Sequence, residues 1–178
     1  PVGTAAALGL EGCPWESMGD LLSGSIIDDD RNVNNRFEVA SALNARITAT
    51  GSPFWGCPPA RGGHTLTATK PASFAPLGEW RAVETALRDQ GCRPFSSWQL
   101  LGSGAVGSQS LLGIPMIHRL SAQFVDRVSV WPFTTGLRAP AVYPGTVVIA
   151  EVWPSLLPIE IADGTTFEGE AIGAEAPG

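Results

Sequence analysis

The run Thr146–Trp153, TVVIAEVW, constrains the fold of this chain more than any other stretch. It is mostly β-branched and almost continuously apolar, the pattern of a strand covered on both faces, as in sheets flanked by helices. A shorter run, Arg127–Phe133, alternates through Val128 and Val130 and predicts a second strand. The segment from Phe133 to Gly145 is close to the dozen or so residues that a parallel crossover needs, so parallel and antiparallel pairing are both open.

Ahead of these strands the pattern is helical. Short helices are expected over Thr4–Leu10 and Trp15–Leu22, the second with Pro14 in its first turn. Asn35–Thr48 places Phe37, Ala40, Leu43 and Ile47 on one face at helical spacing. Glu79–Gln90 predicts an amphipathic helix with Trp80, Val83 and Leu87 inward, Glu84 and Arg88 paired four residues apart, and Gly91 as its stop. Val106–Phe124 reads as helical with a break or kink at Gly113-Ile114-Pro115. Thr50–Pro76 is rich in Gly and Pro; an irregular stretch of that length usually covers a site or a core edge. Several helices with at least two strands give an α/β class, read as one domain over residues 1–163 with a partly mobile tail over 164–178.

Composition narrows the function. No apolar run approaches the roughly 18–20 residues that span a bilayer, so no membrane role is expected. The net charge is −6, Lys70 is the only lysine and the arginines are scattered, which argues against gripping a long duplex through its phosphates. Cys13, Cys57 and Cys92 have no C-x-x-C spacing and read as reduced, packed thiols of a cytoplasmic protein.

Four stretches carry candidate chemistry. Glu151 interrupts the apolar run near its C-terminal end, and a carboxylate in a covered strand is costly unless a partner, metal or pocket receives it. It is either a metal ligand or acid/base group, or else an ion pair with an arginine or a wet strand end. Asp28-Asp29-Asp30 repel one another and favour a counter-cation such as Mg²⁺ or Mn²⁺; the plainer reading is solvated acids ahead of a helix, with Asn35 and Glu38 as a capping pair. Arg36 can fork onto a phosphate or carboxylate, or pair with an upstream aspartate. Gly102, Gly104 and Gly107 fit G-x-G-x-x-G, but Gly113 and Pro115 follow too soon and Asp126 precedes the next strand instead of ending it, so the dinucleotide reading fails. With Ser108 the loop is still either an anion site made of backbone N–H groups or a tight turn where elements approach closely.

The blocks NNRFEVASALN, PFWGCPP, SSWQLLGSGAVGSQSLLGIP, VWPF and AEVWPSL, in that order, resemble an uncharacterised bacterial family associated with predicted ribonuclease H-like nucleases and sometimes labelled molybdopterin-guanine dinucleotide biosynthesis proteins. The resemblance implies a ribonuclease H-like α/β core, with several helices on a small sheet, incomplete at its N-terminus. Pro1-Val2-Gly3 looks like the tail of the family's Asp-x-Pro-x-Gly pattern, which would place the early strands and two acids outside this chain. Of the family's acids, Glu151 alone carries over by position. The expected function is a metal-dependent, nuclease-like phosphodiester hydrolase acting on a small nucleotide or short nucleic acid. Glu151 would be its catalytic residue and, with Asp29 and Asp30, would hold Mg²⁺ or Mn²⁺; Gly102, Gly104, Gly107, Ser108 and Arg36 would hold phosphate. The rival is a non-catalytic nucleotide- or cofactor-binding protein of molybdopterin dinucleotide biosynthesis, stacking its ligand on Trp55 or Trp98. An exposed sheet edge would let copies pair.

Overall fold

The computed structural model describes residues 2–152, 159–160 and 166–167. The chain divides into two compact units, Pro1–Arg127 and Val128–Gly178, where the sequence reads as a single domain over residues 1–163. The tail expected over 164–178 lies outside the described residues apart from Thr166 and Phe167. Helices with a small parallel sheet make the protein a mixed α/β chain.

The first unit is helical. It contains α1 (Val2–Ala7), α2 (Pro14–Ser25), α3 (Arg36–Ile47), a single 3-10 turn at Pro59–Arg61, α4 (Ala82–Asp89) and α5 (Val106–Gln123). Pro14 opens α2, where a missing N–H costs nothing. Met18 and Leu22 of α2, Phe37, Ala40 and Leu43 of α3, and Leu111 of α5 share one apolar core with Phe54, Leu66 and Leu100 from the connecting loops. Residues one and two turns apart supply most of these contacts, so the helical period of the sequence is what builds the core.

The most extensive helix–helix contact in this unit is that of α2 and α5, and Gly19 lies where they meet. A Cβ at Gly19 would stand 2.2 Å from Cδ2 of His118, whose ring lies on the bare backbone there. Contrary to the expected break, α5 runs without interruption through Gly113 and Pro115. Proline removes one backbone hydrogen bond, but Leu111, Pro115 and His118 are buried along the same helix, and that packing holds the turn.

Around α4 the expected inward face fails at Val83, while Trp80 and Leu87 are half-buried. Val83 is 56% exposed whereas Glu84 is 4% exposed. Glu84 does not pair with Arg88: its carboxylate accepts the Arg81 backbone N–H at 2.6 Å and the Arg81 Nε–H at 2.6 Å. The two N–H donors close the open N-terminal turn around the carboxylate, which outweighs the gain from burying a valine. Arg88 lies over the Trp80 ring instead, with Cζ 4.4 Å from the centroid.

The second unit holds β1 (Val128–Trp131), β2 (Val147–Ala150), β3 (Ile159–Glu160) and β4 (Thr166–Phe167). β1 and β2 are parallel, with Val128 opposite Val147 and Trp131 opposite Ala150; β3 and β4 are antiparallel. The sheet formed by β1 and β2 has two strands. The expectation of a strand covered on both faces is therefore corrected: Val147 is 53% exposed and Ala150 is exposed as well. A ladder this narrow leaves an outer edge on each strand and little area for covering elements.

Candidate functional site

The loop from Ser25 to Asn35 and the start of α3 are folded by asparagine side chains. Asn35 accepts the Ile27 N–H at 2.8 Å through Oδ1 and donates Nδ2–H to the Ser25 carbonyl at 2.9 Å. Its side chain is thus used behind the helix and does not cap it, so the anticipated Asn35–Glu38 capping pair does not form. Glu38 forms an ion pair with Arg61 instead. Asp29 Oδ1 accepts two backbone N–H bonds, from Arg31 at 2.9 Å and Val33 at 2.8 Å, an arrangement that shapes the turn.

Arg36 occupies the first position of α3. Its Nη1 donates to Asn34 Oδ1 at 2.7 Å, and its guanidinium lies over the Phe37 ring, Cζ 4.3 Å from the centroid. Nε is buried without a hydrogen-bond partner. The guanidinium makes no ion pair with Asp28, Asp29 or Asp30, one of the two readings the sequence left open. A cation at a helix N-terminus also opposes the macrodipole. Beside it runs a shallow groove of about 220 Å³ lined by Ile27, Val33, Asn34, Asn35, Glu38 and Arg61.

The glycine loop resolves toward tight packing. Gly102 and Gly104 have φ of 93° and 73°, and a Cβ on Gly104 would stand 2.1 Å from Cδ1 of Phe95. A Cβ on Gly107 would meet the Gln99 carbonyl oxygen at 2.8 Å. Two of the loop's N–H groups are already used: Val106 donates to Gly104 O at 2.7 Å and Gly107 to Gln99 O at 2.9 Å. Ser108 Oγ donates to the Leu100 carbonyl at 2.6 Å. These glycines allow close approach of backbone and ring.

Glu151 follows the last residue of β2 and is exposed. The desolvation reasoning that singled it out is therefore corrected, because the carboxylate is not enclosed by a sheet. Asp29 and Asp30, also exposed, belong to the first unit and Glu151 to the second. Among the described residues, no three His, Cys, Asp or Glu side chains gather at ligating separations.

The residue that sequence reasoning missed is Asn44. It is fully buried in α3, and its Nδ2 lies within hydrogen-bond distance of the carbonyls of Gly51 at 3.1 Å, Phe54 at 2.9 Å and Thr65 at 2.8 Å, which share its two N–H donors, while its Oδ1 accepts the Phe54 N–H at 2.8 Å. Trp55 continues this junction: its N–H donates to Trp98 O at 3.2 Å and its carbonyl accepts from Leu100 N–H at 2.8 Å. The block around Asn44 is thus tied to the block PFWG by its side chain, and PFWG to the block SSWQLL by backbone hydrogen bonds. The signal was present: Asn44 lies seven residues after Phe37 and four after Ala40, a polar residue on the apolar stripe. Of the proposed stacking surfaces, Trp98 is edge-on to Phe54, centroids 5.2 Å apart, with Nε1–H donating to Gly78 O at 2.9 Å. Trp55 is half-buried.

Neither histidine sits in a nucleophilic arrangement. His64 is exposed, whereas the buried His118 ring is edge-on to Trp15 and its Nε2 is 2.9 Å from Glu16 Oε2. Comparison with known protein families, curated proteins and solved structures finds no match to the chain.

Proposed function

We propose that the chain is a non-catalytic binding protein for a small phosphate-bearing ligand of the nucleotide class, held at the start of α3. The observation that carries this reading is Arg36. One of its five N–H donors is engaged, with a neutral asparagine, and its charge sits at the end of a helix that favours anions. A phosphate would use the remaining Nη donors, since Nε is buried, relieve the repulsion from the macrodipole and approach from the side of Asn34, which also lines the groove that holds Arg61. The net charge of −6 favours a small ligand over a long nucleic acid. Calorimetric titration with GTP in the presence of EDTA tests it. Arg36→Gln is expected to weaken binding at least about tenfold, the loss of one charge-assisted hydrogen bond. Equal affinities for both proteins, with helix content unchanged, would overturn the assignment.

A second reading, a ribonuclease H-like, Mg²⁺- or Mn²⁺-dependent phosphodiester hydrolase, is favoured by one feature. Glu151 lies just beyond the carboxyl end of a parallel strand, where ligands of open α/β sheets gather. The described carboxylates do not fit a divalent ion by themselves: one oxygen of Asp29 is committed to its turn, and no three His, Cys, Asp or Glu side chains gather among the described residues. No catalytic step is assigned on this basis. Under this reading, calorimetry detects Mn²⁺ binding that Glu151→Gln abolishes; retention of the full heat by the variant would remove Glu151 as a ligand.

A further inference from the structure

We draw no further inference here: the strongest candidate, the buried His118 ring laid over Gly19 between Glu16 and Asp20 where α5 crosses α2, is accounted for as a helix-packing contact with its ring nitrogen already paired to Glu16 and its ring outside both surface grooves.

Discussion

Replacing Asn44 with alanine removes three hydrogen bonds at once, two N–H donors shared among three carbonyls of the Gly51–Thr65 loop and one bond accepted from Phe54. At about 1 kcal/mol net for each, the loss is about 3 kcal/mol. The site is fully buried, so the orphaned groups do not simply return to water. With a urea slope of about 2 kcal/mol/M, the midpoint should fall by about 1.5 M. Urea titration followed in parallel by tryptophan fluorescence and far-UV circular dichroism measures this, and coincident curves establish that one transition is being read. Asn44→Asp keeps the acceptor for Phe54 but turns a carboxylate toward three carbonyl oxygens, so its loss should be at least as large. If Asn44→Ala costs less than about 1 kcal/mol, the loop's carbonyls find other partners and the asparagine is not what organises it.

Two further outcomes follow from the packing. Gly19→Ala should destabilise the first unit by about 1–3 kcal/mol, because the new methyl meets the His118 ring, and His118→Ala in the same chain should recover part of that loss. Strictly additive thermal shifts would show that the ring and the glycine are not in contact. Burial pushes the Cys57 thiol above its ordinary value of 9.0. The unfolded chain therefore loses this proton first: the thiol's contribution to stability is complete below about pH 9 and declines as pH rises toward the folded value. Iodoacetamide should accordingly label the exposed Cys13 well before Cys57 in the native protein, as peptide mass mapping would reveal; equal rates would contradict the burial.

The sequence alone was enough to locate the helices and both main strands, because each is announced by a local pattern of residue types. Val106–Phe124 and Asn35–Thr48 were visible as apolar stripes, and the observed α5 and α3 fall inside those ranges. The irregular character of Thr50–Pro76 was equally local, since Gly and Pro dictate it residue by residue. The failures concern what lies across from a side chain. Val83 fits the inward face of a helical wheel, yet Glu84 is buried because Arg81 is there to receive it. Glu151 sits within an apolar run, but whether that run is enclosed depends on neighbours that the run does not encode.

The glycine motif shows the same division. Its letters establish that the backbone turns sharply there, a property of each residue's own φ. Only tertiary structure decides whether the freed N–H groups face a ligand or a neighbouring carbonyl, and here the carbonyls of Gly104 and Gln99 take those of Val106 and Gly107. Periodicity is written along the chain, whereas burial and hydrogen-bond partnership arise between segments distant in sequence. Asn44 joins both levels: its place on the apolar stripe is legible in the sequence, while its partners, up to 21 residues away, exist only once the loop has closed around it.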